Sequence, residues 1–387
     1  MSILIKKKKL AKGWKKLFIM HKERTVATIC ENGKATVYSR SFMPYNLYFE
    51  VGEDIDTRIN NLNNFYYWCA SRVLTLDRKY AKEIINSIGA RQATTDKDRA
   101  AIAISYHGLS MMDVYWIRGY REKISFSQIS LYSHSLSDAF MDISLRGRQI
   151  TAQNAEMIMS RDAAGDVGTP GVSPKAWVRE DDGFYLLKDG DERDVTAELT
   201  ASKIVACFDV EHVSYSSAVF EDLHVSKCKI ITSEERGIVP FEFIDVYCTN
   251  RDMDKMAFVL KTDPYAYYMM NIMDYLIGNT DRHWGNWGFW VDHTTNKPIS
   301  MYPLMDFNRS FTAYETIEGA RCQTTEKGQS QMAAAIEAVQ VVGLNQIADV
   351  RPEWFDGDSE REIMFFRRLA VLKEADKTRL NEGRGAE

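Results

Sequence analysis

No run of about 18 uncharged apolar residues occurs anywhere in the 387-residue chain, so no segment is suited to cross a membrane as a helix. The lysines at the N-terminus are not followed by an apolar stretch and a small-residue cleavage site, which argues against a secretory signal. Six cysteines (Cys30, Cys69, Cys207, Cys228, Cys248 and Cys322) show no CxxC spacing, which speaks against a zinc ribbon and a disulfide framework. With seven dispersed histidines, the simplest expectation is a reducing cytoplasm and no integral membrane association. Internal repeats and low-complexity blocks are absent as well. A composition of 45% hydrophobic and 27% charged residues excludes full-length disorder, collagen and coiled coil. The length suits two or three domains.

Acidic residues are scarce at one end. The first 40 residues hold eleven Lys/Arg and two Asp/Glu, a net +9, and the rest of the chain, at −14, brings the total to −5. Seven lysines fall within the first sixteen residues, with no acid among them. Such a run could meet the phosphates of nucleic acid or an anionic membrane. It could also simply be a solvated strand edge kept soluble by lysine, the commoner case.

Coarse periodicity organises the remainder. Thr25–Cys30 and Ala35–Ser39 are β-prone and joined by Glu31-Asn32-Gly33, the pattern of a hairpin. Helical spacing runs from about Ile55 to Gly89, and the aromatic stretch 109–117 should pack within this first module. Residues 163–174, with three glycines and two prolines, read as a loop. A hairpin is expected around Glu180-Asp181-Asp182-Gly183, then a helix capped by Asp194 and running toward Phe208. Strands are expected at Val225–Ile231 and Phe241–Tyr247. From 250 onward the pattern is mainly helical: a helix capped by Thr262 with Tyr265, Met269, Ile272 and Leu276 on one face, then helices near 329–342 and 360–375, with a loop-rich stretch at 278–312.

Two motifs in that stretch carry chemistry: Asn279-Thr-Asp-Arg-His-Trp-Gly-Asn286, and Asp306-Phe-Asn308 after a strand-like Phe289-Trp-Val291 and a turn through Asn296-Lys-Pro298. Phosphoryl transfer needs a carboxylate to align or deprotonate the attacking hydroxyl. It also needs oxygen ligands to hold Mg²⁺ against the nucleotide phosphates. Asp281, Asn286 and Asp306 supply that set, and folding the intervening hairpin back would bring Asp306 beside the first loop. Upstream, Gly165, Gly168 and Gly171 allow close backbone approach to phosphate, Lys175 and Lys188 can place charge there, and Glu198 is placed to orient Lys188. Loop, strand lysine, helix glutamate, Asp…Asn, Asp is the order of a protein-kinase-like site, although GxGxxGxV, HRD and DFG are all missing. A metal-dependent hydrolase would need more closely spaced histidine or carboxylate ligands, as in HExxH, and none is present.

These motifs, with Gly171-Val-Ser-Pro-Lys175, Tyr185-Leu-Leu-Lys188, Ala197-Glu-Leu-Thr-Ala-Ser202 and Val225-Ser-Lys-Cys-Lys229, resemble the HipA-like kinase family, which is related in structure to the phosphatidylinositol kinases. The resemblance covers roughly 160–315. It implies an α+β, bilobed protein-kinase-like fold, with a basic N-terminal α+β module at 1–160, a small antiparallel β lobe at 161–250 and a helical lobe at 251–387. Implied with it are a catalytic Asp281, Mg²⁺ on Asn286 and Asp306, and ATP phosphates on Lys188 and under Gly168, Gly171, Ser173 and Lys175. Glu198 would orient Lys188, and Ile231 and Ser233 would lie in the hinge that meets adenine. His283 and Arg282 match the loop and would brace it. Asn308 stands where ordinary kinases have glycine, so the loop after Asp306 is not expected to flip as theirs does. Ser173 and Thr169 are the hydroxyls available for autophosphorylation.

The expected activity is thus transfer of the γ-phosphate of ATP, with Mg²⁺, to Ser or Thr of a protein in a bacterial cytoplasm, with an antitoxin or DNA-binding partner. Two alternatives stay open: the same core acting on a lipid or small molecule, and a non-catalytic pseudokinase or DNA-associated regulator.

Overall fold

Alternating apolar residues fold the start of the chain into an antiparallel sheet in the computed structural model, which describes residues 15–73, 95–133, 175–189, 191–220 and 222–384. Its strands are β1 (Lys16–His21), β2 (Arg24–Cys30), β3 (Ala35–Val37) and β4 (Tyr115–Gly119), in the order β3–β2–β1–β4. Ordinary alternation turns Ile19 and Met20 to opposite faces of the sheet, and the register shift between them leaves Val26 as an extra residue on β2, so that Val26 and Ala27 enter the same core. Ile19 joins a core with Phe65, Trp68 and Ile117, whereas Met20 joins Leu109, Met111 and Trp116 on the other side. Both faces of β1 are therefore covered. The first core is closed by α1 (Ile55–Ala70), capped by the Asp54 carboxylate, and α2 (Asp96–Ser105), capped by Thr95 and Asp98 in a reciprocal box. The expected helical spacing beyond residue 73 lies outside the described residues, as do 1–14 and the glycine-rich loop.

The described chain divides into two units. The first comprises residues up to Leu186 together with Ile230–Gly237 and Asp292–Lys297, and the second Leu187–Lys229, Ile238–Val291 and Pro298–Glu387. The short insert at 292–297 is fixed within the first unit by Asn296. Its backbone carbonyl accepts from Tyr45 at 3.0 Å, its side-chain oxygen accepts from Tyr115 at 2.9 Å, and its amide donates to Ser41.

Strands β5 (Lys175–Glu180), β6 (Gly183–Asp189), β7 (Ser216–Phe220) and β8 (Leu223–Lys229) hydrogen-bond in the order β5–β6–β8–β7. In the second unit, α3 (Glu192–Val205) starts three residues earlier than the sequence suggests. Asp191 is the cap, and its carboxylate accepts from the Asp194 backbone, so Asp194 sits in the first turn. The segment expected as a strand at 241–247 is a helix, α4 (Phe241–Thr249), and the strand, β9 (Arg236–Pro240), lies just before it. The β-forming side chains mislead because Phe241, Ile244 and Cys248 recur at helical spacing and all three are buried. Phe241 stacks on Trp287 with ring centroids 4.1 Å apart.

Helix α5 (Lys255–Thr262) leads into α6 (Pro264–Leu276), whose cap is Asp263 rather than Thr262, with proline at the first position. Nearly every residue of α6 from Tyr267 onward is buried, the mark of a central helix. Around it lie the hairpin β10 (Gly288–Asp292) and β11 (Lys297–Met301), helix α7 (Gln331–Val342) and helix α8 (Ser359–Arg384). The α+β class with antiparallel sheets is as expected. Among the described residues, no helix is long and apolar enough to cross a membrane.

Candidate active site

Strand β6 delivers Lys188 into the second unit with its ammonium almost fully buried. Burying a lone cation would be prohibitive, so it must be paired. Lys188 Nζ lies 2.6 Å from Glu198 Oε1 on α3 and 2.6 Å from Asp306 Oδ1. Burial alone would lower the lysine pKa, but the Asp306 and Glu198 carboxylates outweigh it and hold the group above the ordinary lysine value. Glu198 is itself inaccessible, and its second oxygen accepts from the Ser226 hydroxyl on β8.

Tyr215 completes this cluster, and nothing in the sequence pointed to it. Its ring centroid is 5.6 Å from Lys188 Nζ, and its hydroxyl accepts the Asp306 backbone N–H at 3.1 Å. Asp306 has φ of +62°, a conformation that non-glycine residues adopt at an energetic cost, and that hydrogen bond helps hold it there.

The loop after α6 carries the other carboxylate. The Asp281 backbone N–H donates to Asn279 Oδ1 at 3.0 Å, and Asn286 Nδ2 donates to the Asp281 carbonyl at 2.8 Å. Burial, and next the Asp306 carboxylate, push the Asp281 pKa above the usual aspartate value, while His283, Arg309 and Arg282 pull it down. His283 Nε2 is 3.9 Å from Asp281 Oδ1. The Asp306 carboxylate thus disfavours the charged form of Asp281, as a neighbouring like charge does.

Arg282 braces this loop from inside. Its guanidinium is 2% exposed, pairs with Asp274 on α6 at 3.0 Å, and donates at 2.8 Å to the backbone carbonyls of both Asn286 and Met305. One side chain thus links the Asp281–Asn286 loop to the residue before Asp306. Arginine suits the task because its planar fork serves several acceptors at once.

The donor set fits Mg²⁺. A carboxylate (Asp306) and an amide oxygen (Asn286, whose nitrogen is already committed to Asp281) are hard ligands of the kind that hold Mg²⁺ with substrate phosphates. Among the described residues no cluster of three His, Cys, Asp or Glu could hold a metal, and this two-residue arrangement does not require one.

The remaining sequence-derived residues belong to the first unit or lie outside the described residues. Gly168, Gly171 and Ser173 lie outside the described residues, as does Thr169. Lys175 opens β5 and is buried in the first unit. Ile231 and Ser233 also belong to the first unit, where the Ser233 backbone N–H donates to Arg236 at 2.8 Å and its hydroxyl to Glu235 at 2.7 Å. The intervening Thr232 donates its hydroxyl to the Met111 carbonyl.

No protein-family model matches the chain, and no curated protein matches it. Solved structures similar to it include the following two. One is the Helicobacter pylori proinflammatory kinase CtkA, 12% identical, covering 54% of this chain and 95% of that one with a TM-score of 0.38. The other is HipA of Shewanella oneidensis, solved with HipB and its operator DNA, 11% identical, covering 81% and 88% of the two chains with a TM-score of 0.46.

Proposed function

We propose that the chain is a phosphotransferase that moves the γ-phosphate of ATP to a Ser or Thr hydroxyl of a protein. The observation that carries this reading is the buried Lys188 ammonium held 2.6 Å from both Glu198 and Asp306, in the same unit as the Asp281–Asn286 loop. A cation so enclosed has a fixed position, and a fixed cation is what a triphosphate needs for alignment. Lys188 would contact the α- and β-phosphates, and Glu198 would keep it aimed. Bound Mg²⁺, held by Asn286 and Asp306, would neutralise charge on the phosphate oxygens. Asp281 would accept the proton of the attacking hydroxyl as the new P–O bond forms and the bond to the β-phosphate oxygen breaks, releasing ADP. The upward push on its pKa strengthens it as a base.

All six cysteines are unpaired, which supports placing the protein in a reducing cytoplasm. The motif resemblance extends the proposal to an antitoxin or DNA-binding partner. Nucleotide binding tests the reading at its first step. ATP with Mg²⁺ at about 100 times its Kd should stabilise the protein by ~2.7 kcal/mol, with ATP alone giving a smaller shift. No stabilisation by ATP at millimolar Mg²⁺ would contradict it.

A further inference from the structure

Arg309 sits three residues beyond Asp306, and its backbone and side chain engage different elements of the second unit. Its carbonyl accepts from the Thr280 N–H at 3.4 Å and from the Thr312 hydroxyl at 2.7 Å. The Thr280 and Thr312 hydroxyls are themselves 2.7 Å apart. Since Thr280 immediately precedes Asp281, the backbone of Arg309 is fastened to the loop that bears the candidate base. Its side chain reaches α3 as well, with Nη1 3.6 Å from Asp194 Oδ1, while its charge also favours the ionised form of Asp281.

Asp194 and Glu198 are four residues apart and therefore lie one turn from each other on the same face of α3. The helix is thus held to the 306–309 segment at two successive turns, by Glu198 through Lys188 to Asp306 and by Asp194 directly to Arg309. The two ties differ in exposure. Lys188 and Glu198 are buried, whereas the Arg309 side chain is 53% exposed and that of Asp194 13%. Burial works against the Asp194 carboxylate, and Arg309 is the foremost charge that offsets it.

We propose that Arg309 is a positioning residue, a strut that keeps α3, and with it Glu198, in register with the loop carrying Asp281. This rests on the phosphotransfer reading above. Its chemical sense is that the phosphate-binding ammonium and the hydroxyl-activating carboxylate are set relative to one another through one arginine, not independently.

The experiment follows ATP-dependent phosphate transfer together with hydrogen exchange of the α3 amides. Arg309→Ala should raise the KM for ATP about three- to fivefold and speed exchange in Glu192–Val205 by a similar factor, the range open to a half-exposed ion pair. Arg309→Lys should restore both to within about twofold, because one cationic contact suffices at this distance. Arg309→Glu should be worse than alanine, and adding Asp194→Lys should recover most of that extra loss. Unchanged exchange in Arg309→Ala, or a charge swap that recovers nothing, would overturn the proposal. If the wild-type protein transfers no phosphate, the functional reading fails, while the exchange measurements alone still decide whether the strut exists.

Discussion

Replacing Lys188 by methionine, which keeps most of the volume and removes the charge, leaves the Glu198 carboxylate inaccessible to water and without its cation. Breaking a buried pair from one side costs about 3–5 kcal/mol, since the surviving charge keeps its desolvation penalty and loses its compensation. Ser226 still donates to Glu198, and Asp306 is partly exposed, so the lower half of that range, ~3–4 kcal/mol, is expected. Glu198→Gln alone should cost less, because an amide carries no charge to strand. The loss in the double variant Lys188→Met/Glu198→Gln should fall short of the summed single losses by about 1–3 kcal/mol, the coupling expected of contacting residues. Urea unfolding with unchanged m-values is the assay, so that shifts in midpoint report stability. A Lys188→Met protein as stable as wild type, or a double variant whose losses simply add, would refute the claim that this ammonium neutralises a buried carboxylate.

Three further predictions concern other parts of the molecule. His21 is buried, and its Nε2 has no hydrogen-bond partner among the described residues; burial, then His293, lower its pKa from 6.5 to about 4. A histidine with a lowered folded pKa stabilises the native state above its unfolded pKa and loses that contribution as pH falls, so stability should drop by about 2–3 kcal/mol between pH 7 and pH 4.5. His21→Phe should flatten that dependence in urea midpoints at the two pH values. Thiol titration of the native protein should find one rapid cysteine, the partly exposed Cys30, with all six reacting after unfolding. Burial pushes Cys228 up to about 12 and Cys69 well above an ordinary thiol. Gly288→Ala would drive its methyl into the Val239 carbonyl oxygen and to 2.8 Å from Pro240 Cα, backbone atoms that cannot swing aside. The cost should reach about 3 kcal/mol, read as a lowered melting temperature.

Much of this arrangement could be read from the sequence, for local reasons. The β2–β3 hairpin follows from alternation around a turn, and α6 from an apolar run behind a capping residue and a proline. The motif order also named the residues that the second unit brings together: Lys188, Glu198, Asp281, Asn286 and Asp306. What escaped detection depends on distant neighbours. Tyr215 carries no motif, yet its ring and hydroxyl meet Lys188 and Asp306. Asp274 carries no motif either, yet it is buried and pairs with Arg282. Asn296 read as an ordinary turn residue, although it is buried and receives two tyrosine hydroxyls. The strand reading of 241–247 went wrong because β-propensity is a weak preference, and burial of one helical face against Trp287 overrides it. The caps slipped by one to three residues where aspartates cluster, since Asp191 and Asp194 both satisfy the rule and only hydrogen bonding chooses between them.

The most direct test is γ-labelled phosphate transfer from ATP with Mg²⁺, comparing the wild-type protein with folded Asp306→Ala and Asp281→Ala. The account predicts label on a protein hydroxyl for the wild type and its loss in both variants, with circular dichroism and unfolding midpoints showing that each still folds. Label incorporated at wild-type rate by a folded Asp306→Ala protein would contradict it.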